Sequence, residues 1–279
     1  MPSFGQKLLD STRETGPLCV GIDPGRATLA GWGLPDSADG ARTFGLRMLD
    51  AAAGLVPVVK PQSAYFERFG WRGAQVLAEL VHAAKDRGLL VLLDAKRGDI
   101  GSTNDAYAEA YLTPASPLPV DAMTVTAYTG LDALAPLYQA AHEHGTGLFV
   151  LARTSNPEGA TLQDAVTGSG ASVSDDVLRR LASINSARTI GSIGCVVGAT
   201  TTPDPSLVEA VNAFVLAPGL GAQGATVDDL AHHFRGCRRV LPSASRVISA
   251  TGPDARRLAE CIRRLVGQCA DSLTPGGHR

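Results

Sequence analysis

Eight short apolar runs recur along the chain, and segments with helical spacing of apolar residues separate them. The runs cover residues 18–22, 56–59, 89–93, 122–126, 147–152, 194–197, 214–217 and 240–245. Unbroken apolar runs of this length are typical of parallel strands that are covered on both faces. The alternation therefore predicts an α/β fold, a (β/α)8 TIM barrel, with a doubly wound parallel sheet as the alternative because spatial order is invisible in a sequence.

No change of composition along the chain marks a linker, so we expect a single domain over residues 1–270 and a disordered tail over 271–279. Thr226 is expected to cap a helix over 226–234. Pro253 is expected to open the last helix. Residues 25–40, rich in Gly, Pro and Asp, predict a surface loop. The segment 153–173, rich in Gly, Ser and Thr, is interpreted as a candidate mobile lid.

Charge and composition argue against several classes of protein. The hydrophobic content of 44% is sufficient for a large core, and the net charge of -2 gives no electrostatic reason to expect a nucleic acid or a membrane as partner. The first residues lack the apolar stretch of a signal peptide, and no apolar segment approaches the ~18 residues of a membrane span. We therefore expect a cytoplasmic protein whose five scattered cysteines are reduced thiols.

Charges of alternating sign follow the third apolar run. Strand alternation predicts that Asp94 and Lys96 lie on one face. A carboxylate beside an ammonium can stay ionised where an isolated ion would lose much of its solvation energy. The pair is either a salt bridge that closes the top of a strand or an acid/base and electrostatic device at the mouth of a barrel.

Polar or ionisable residues follow nearly all of the predicted strands. The strand-end positions are Asp23, Lys60, Asp94 with Lys96, Thr126, Ser155, Gly198, Gln223 and Arg246, and all of them except Gly198 are polar or ionisable. Functional residues of this fold lie at the carboxyl ends of the strands, so these positions predict one site. Taken singly, each has a structural explanation: Asp23 could cap a turn, and Lys60 could be solvated.

The spacing D-x-K-x-x-D-I-x-x-T from Asp94 to Thr103 resembles the signature of orotidine 5′-phosphate decarboxylases, the enzymes that convert orotidylate to UMP. Other segments resemble further motifs of that family in the same order, namely CVGIDP, VVKPQSAYFERFG, LARTSNPEG, APGLGAQG and the SR after the eighth strand. The similarity covers essentially the whole chain, and the longer loops resemble the bacterial type 2 subfamily. The segment TAYTG departs from the expected Asn-Pro-Tyr pattern, so Thr126 is given no role.

The resemblance implies a catalytic array. Lys96 would neutralise and then protonate the carbanion that forms at C6 of the pyrimidine, and Asp94 would adjoin the substrate carboxylate. Lys60 and Asp99 would complete an alternating Lys-Asp-Lys-Asp array. In the family the second aspartate and the threonine, here Asp99 and Thr103, enter the neighbouring subunit's site. The implied protein is a homodimer with shared active sites that acts on orotidine 5′-phosphate without a cofactor or a metal.

The family's substrate contacts correspond to Asp23 for the ribose, Ser155 for the pyrimidine amide, Gln223 for the ring and the phosphate, and Arg246 for the phosphate. Gly219, Gly221 and Gly224 also match the dinucleotide fingerprint G-x-G-x-x-G. That fingerprint belongs to the first βα unit, whereas barrels place phosphate sites after strands 7 and 8. We therefore expect a phosphate monoester there, with a dinucleotide or a plain tight turn as alternatives.

Two other functions remain open at the level of the sequence. A metal-dependent keto-sugar-phosphate decarboxylase or aldolase of the same barrel superfamily shares the Asp-x-Lys-x-x-Asp element but needs Mg²⁺ and an extra acidic ligand. No obvious glutamate at a strand end supplies that ligand. A non-catalytic nucleotide-phosphate sensor is the other alternative, and an intact Lys96 argues against it.

Overall fold

The computed structural model describes residues 2–221 and 224–273, and its centre is a closed barrel of eight parallel strands. The strands pair in chain order, and the eighth pairs with the first. They are β1 Cys19–Ile22, β2 Val58–Pro61, β3 Leu90–Arg97, β4 Ala122–Val125, β5 Gly147–Arg153, β6 Ile193–Val197, β7 Val215–Pro218 and β8 Val240–Ala244. The prediction of a (β/α)8 barrel is confirmed, and the doubly wound sheet is wrong.

Helices follow the strands around the outside of the barrel. The α-helices are α1 Phe4–Thr15, α2 Arg26–Gly31, α3 Ala38–Ala52, α4 Ala64–Glu67, α5 Trp71–Asp86, α6 Ser102–Tyr111, α7 Ala135–His144, α8 Ala160–Gln163, α9 Val173–Asn185, α10 Pro205–Ala210, α11 Val227–His233, α12 Arg246–Ser249 and α13 Ala255–Leu273. Short 3-10 turns at Asp132–Leu134 and Pro157–Gly159 precede α7 and α8.

The apolar side chains form two layers. The larger layer lies between the strands and the surrounding helices, and the smaller one fills the inside of the barrel. Phe4 and Leu8 of α1 belong to the inner layer, and the ring of Phe4 meets that of Phe149 edge-on at 6.0 Å. A Cβ at Gly147 would collide with Phe4, so glycine is required at that point. Helix α1 thus closes the amino-terminal end of the barrel and leaves the carboxyl end accessible.

The observed starts of the helices can be compared with several local predictions. Thr226 caps α11, and its side chain and that of Asp229 form a reciprocal capping box, as predicted for a cap. The predicted loop over 25–40 is wrong in part, because α2 lies inside it and α3 begins at Ala38. Pro253 does not open the last helix, because the Asp254 carboxylate accepts the N–H of Arg257 as a cap and α13 begins at Ala255.

Helix α13 continues through residues 271–273, which we had expected in the tail, while residues 274–279 lie outside the described part of the chain. All five cysteines are buried and unpaired. Within residues 2–221 and 224–273, none of the helices combines the length and the apolar character that crossing a bilayer requires.

Candidate active site

A cavity of about 340 Å³ lies at the carboxyl end of the barrel. Leu151, Val196 and Leu216, from three neighbouring strands, line it with apolar side chains. Six residues predicted from the sequence also line it, namely Asp23, Lys60, Asp94, Lys96, Ser155 and Arg246. The structure therefore brings these six residues together around one cavity, and their roles there remain predictions.

Asp94 is the centre of the hydrogen-bond network in this cavity. Its Oδ1 accepts from Nζ of Lys96 at 2.6 Å and from Oγ1 of Thr124 at 2.9 Å. Its Oδ2 accepts from Nζ of Lys60 at 3.1 Å and from Nε2 of Gln62 at 2.9 Å. Four donors match the roughly four lone-pair sites of an ionised carboxylate, so the network fits Asp94 as an anion.

The electrostatics of the site favour charged side chains. Burial raises the pKa of Asp94, but the ammonium groups of Lys60 and Lys96 outweigh burial and hold that pKa well below its usual range. Burial lowers the pKa of Lys60, yet the carboxylates of Asp94 and Asp23 overcome this and raise it above its usual range. The Lys60 side chain is 8% exposed and that of Lys96 is 48% exposed. Lys96 is therefore the more accessible of the two lysines in the cavity.

The backbone around Lys96 departs from a regular strand. Lys96 has a φ of 48°, and the pairing of β3 with β4 shifts register between Leu93 and Arg97. Simple strand alternation predicts that Asp94 and Lys96 lie together on one face. They do meet, but a bulge with a left-handed residue brings them together instead. A non-glycine residue at positive φ costs on the order of 1–3 kcal/mol, which the surrounding structure must offset.

Other residues that line the cavity are suited to polar parts of a ligand. Oδ1 of Asp23 is buried and has no hydrogen-bond partner among the described residues. Arg246 is exposed and makes no ion pair within that same part of the chain. A Cβ at Gly198 would lie 2.8 Å from the backbone nitrogen of Ser155, so glycine at the end of β6 permits Ser155 to approach. A hydrogen-bond acceptor on Asp23, the cation of Arg246 and the backbone near Ser155 thus line the cavity.

Two predicted residues lie outside this cavity. The Asp99 carboxylate accepts the N–H of Ile100, and its carbonyl accepts from Asn104 and Thr129. Thr103 is exposed in the first turn of α6. Neither residue is among those that line the cavity of its own chain. Their assignment to a neighbouring subunit's site remains a prediction.

The glycine-rich stretch follows β7, as expected. Gly219 lines the cavity, and Gly219, Gly221 and Gly224 all have positive φ, at 120°, 77° and 87°. The N–H of Gly221 donates to the carbonyl of Ala225, which closes the loop just before α11. Gln223 lies outside the described residues, so its predicted contact with ring and phosphate remains a prediction.

Thr124 and Gln62 are site residues that the sequence reasoning missed. Both line the cavity and donate to Asp94. Thr124 is a lone hydroxyl inside the apolar run of β4, and Gln62 follows Lys60 at the spacing of one strand face. These two features of the sequence are the signals by which both residues could have been predicted to lie in the site. Thr126, one of the predicted strand-end residues, is not among the lining residues, and its N–H donates to the carbonyl of Arg97.

The segment proposed as a lid is anchored at its start. Arg153 forms an ion pair with Asp164 at 2.7 Å. The side chain of Gln163 accepts the N–H of Thr154 at 3.0 Å and donates to its Oγ1 at 2.8 Å. Thr154, Ser155 and Asn156 line the cavity, so α8 supports the part of this segment that faces a ligand. Its mobility remains a prediction.

No group of three or more His, Cys, Asp or Glu side chains in the described part of the chain is arranged to bind a metal ion. The polar groups of the cavity are instead two lysines, an arginine, aspartates, hydroxyls and amides. This donor set fits an anionic organic ligand with hydroxyl groups, because cations and hydrogen-bond donors predominate.

Comparisons with known proteins agree with this geometry. The family model described as "Orotidine 5'-phosphate decarboxylase / HUMPS family" matches residues 16–255. The orotidine 5′-phosphate decarboxylase of Salinispora arenicola is 49% identical over 276 residues, which cover 98% of this chain and 99% of that protein.

Two solved structures also resemble this chain. The crystal structure of a candidate orotidine 5′-phosphate decarboxylase from Streptomyces avermitilis has a TM-score of 0.94 and 46% identity, covering 98% of this chain and 96% of that one. The Leishmania donovani OMP decarboxylase structure has a TM-score of 0.77 and 28% identity, covering 96% and 98%.

Proposed function

The chain belongs to the orotidine 5′-phosphate decarboxylase family, and from that premise we propose that its cavity removes CO2 from orotidine 5′-phosphate to give UMP, the last step of de novo UMP synthesis. The observation that carries the proposal is the Asp94 carboxylate between the ammonium groups of Lys60 and Lys96, inside a cavity that also contains Arg246. The relatives at 46–49% identity bear the decarboxylase name. They do not favour a sugar-phosphate enzyme or a sensor.

Lys96 supplies the chemistry at the reacting carbon. Loss of CO2 leaves an electron pair at C6 of the pyrimidine, in the plane of the ring and outside its conjugated system. An ammonium group fixed beside this carbon stabilises the charge as it develops and then transfers a proton to it. Lys96 is the lysine of the cavity whose side chain is about half exposed, at 48%, which supports this role.

Asp94 orients Lys96 and keeps it cationic. Its second role is electrostatic, because the substrate carboxylate would bind close to it. Two unit charges about 4 Å apart repel by roughly 4 kcal/mol at an effective dielectric constant of about 20. Departure of CO2 relieves that repulsion. Lys60 lies on the other oxygen of Asp94 and lowers the cost of keeping the aspartate ionised in a buried position.

Binding of the ribose and the phosphate occurs away from the reacting carbon. The unpartnered Oδ1 of Asp23 can accept a hydroxyl proton of the ribose. Arg246 and the backbone near Gly219 form the phosphate end, since a guanidinium gives paired donors and permanent charge. Ser155 contacts the pyrimidine amide, and Gln223 joins ring and phosphate. Binding energy gained at the phosphate then helps to close the loops over the cavity and to exclude water from it.

The active form is a cytoplasmic homodimer in which Asp99 and Thr103 enter the partner's cavity. Both residues lie outside their own cavity, on the segment between β3 and α6. Ile100 beside Asp99 is 62% exposed, and Tyr128 on the next loop is 81% exposed. Exposed apolar side chains next to a charged residue support contact with a second copy of the chain.

The direct test is incubation of the purified chain with orotidine 5′-phosphate, with CO2 release and UMP formation measured together. Equal amounts of both products are expected. Orotidine, which lacks the phosphate, is the matched control substrate and should react far more slowly, because it lacks the group that Arg246 binds. Absence of UMP under conditions in which the protein binds the substrate would reject the proposed function.

A further inference from the structure

Thr124 carries a hydroxyl group in the interior of the barrel, where β4 is otherwise apolar. The residue is 1% exposed. Its Oγ1 accepts the N–H groups of Ala95 at 3.1 Å and Lys96 at 3.0 Å, and it donates to Oδ1 of Asp94 at 2.9 Å. A buried hydroxyl without partners is destabilising, so these three hydrogen bonds account for a threonine at this position.

The number of hydrogen bonds determines where the proton of Thr124 points. A hydroxyl group has one proton and two lone pairs. The N–H groups of Ala95 and Lys96 occupy both lone pairs, so the proton is directed at Asp94. Oδ1 of Asp94 therefore accepts from both Thr124 and Lys96, which restricts rotation of the carboxylate.

The same hydroxyl stabilises the bulge in β3. Lys96 is one of two non-glycine residues with positive φ in the described part of the chain. Its N–H and that of Ala95 point away from the ordinary ladder, because the β3–β4 register shifts at this point. Thr124 accepts both groups and offsets part of the strain that this conformation carries.

From these contacts we infer that Thr124 is a positioning residue for the decarboxylation, an inference that rests on the proposed function. It acts through two other residues, because one hydroxyl sets the orientation of the Asp94 carboxylate and the backbone from which the Lys96 side chain extends. Loss of this hydroxyl leaves the Lys96 and Asp94 side chains present but permits their relative geometry to vary. Reaction rates are sensitive to displacements of about 1 Å in such groups.

The test compares two variants at this position. Thr124→Val keeps the shape and removes the hydroxyl, while Thr124→Ser keeps the hydroxyl and removes the methyl group. Loss of a hydrogen bond to a charged group predicts a fall in kcat of roughly 10- to 100-fold for Thr124→Val. Thr124→Ser should recover most of that loss. The affinity for UMP should change less than about threefold in both variants, because the ribose and phosphate contacts lie elsewhere.

Thr146→Val is the matched control. It removes a threonine hydroxyl that donates to the carbonyl of Leu112 at the opposite end of the barrel, just before β5, and should leave kcat as in the parent chain. Melting temperatures of all variants report any general loss of stability. If Thr124→Val does not fold, Thr124→Cys replaces it, because a thiol is a weak donor and a weak acceptor.

A kcat for Thr124→Val, or for Thr124→Cys in its place, within about twofold of the parent would overturn the inference, given the energies that such hydrogen bonds carry. Equal losses in Thr124→Ser and Thr124→Val would also overturn it, because the methyl group and not the hydroxyl would then matter. Absence of turnover by the unmodified chain would reject the proposed function itself, and this role with it.

Discussion

The ammonium nitrogen of Lys96 lies 2.6 Å from Oδ1 of Asp94, although the backbone between the two residues is not a regular strand. Lys96 has a left-handed backbone conformation, with a φ of 48°, and the pairing of β3 with β4 shifts register around it. The pair is therefore formed by a local distortion that β4 stabilises, and its geometry depends on both strands.

Lys96→Ala should lower kcat by roughly 10⁴-fold or more, because it removes both the proton donor and the charge that stabilises the carbanion. Lys96→Gly should be equally inactive, although glycine adopts the positive φ without strain. Comparing the two variants separates the effect of losing the ammonium group on kcat from the effect of strain in the backbone. Lys85→Ala, on α5, is the control, and single-turnover formation of UMP is the measurement. Turnover above about a hundredth of the parent rate in either Lys96 variant would exclude the proposed donor.

Asp94→Asn should make the free energy of unfolding less dependent on pH in the acid range. The pKa of Asp94 is depressed in the folded protein, so its carboxyl group binds a proton more readily in the unfolded chain. The stabilisation is present above the unfolded pKa of about 3.9 and is lost as the pH falls below it towards the folded pKa.

Urea unfolding between pH 2 and pH 7 measures this effect. The variant should be less stable at neutral pH by about 3 kcal/mol or more, since Lys60 would remain buried without its main partner. Asp10→Asn, at an exposed ion pair with Arg13, is the control. If the free energy of unfolding fell equally at acid pH in the parent and in Asp94→Asn, the depressed pKa of Asp94 would be contradicted.

Arg246→Ala should weaken binding of UMP by about 100-fold, because charge-assisted hydrogen bonds to a phosphate are lost. Binding of uridine, which has no phosphate, should be nearly unchanged. Arg238→Ala removes an exposed arginine that pairs with Glu209 outside the cavity and is the matched control. Calorimetric titration with both ligands distinguishes the outcomes, and equal UMP affinity in the two variants would rule out the phosphate role.

Mixed dimers should reveal whether active sites are shared. Lys96→Ala and Asp99→Ala chains are each expected to be inactive alone, yet a heterodimer contains one cavity with Lys96 and the partner's Asp99 intact. Random exchange should restore about a quarter of the parent activity. Lys96→Ala mixed with Lys96→Gly is the control, because neither chain supplies Lys96 and no site is restored. Equal activity of the two mixtures, after exchange is verified by mass, would refute sharing.

Turnover of orotidine 5′-phosphate should persist in excess EDTA, at the rate measured without it. The reason is that the array of Lys96, Asp94 and Lys60 supplies the charge that the reaction needs. Added Mg²⁺ should not increase the rate of chelator-treated protein. A rate that falls with EDTA and recovers with Mg²⁺ would favour the metal-dependent relatives of this fold.

The elements that the sequence predicted well are those with a local signal. Each of the eight strands overlaps its apolar run, because a strand covered on both faces needs an unbroken apolar sequence. Helix α1 and the short helices α2, α4, α8 and α12 were not predicted. Helix α1 has few apolar residues. Two of them, Phe4 and Leu8, pack inside the barrel, and that contact forms only once the strands have assembled.

The amino-acid sequence by itself determined that polar residues end the strands, and hence that Asp23, Lys60, Lys96 and Arg246 would meet at one end of the barrel. Parallel strands place their carboxyl ends together whatever the details of packing. The tertiary structure alone decided that Thr124 and Gln62 converge on Asp94, because that contact depends on strand register and on a bulge. Both are products of long-range pairing, which no local stretch of sequence encodes.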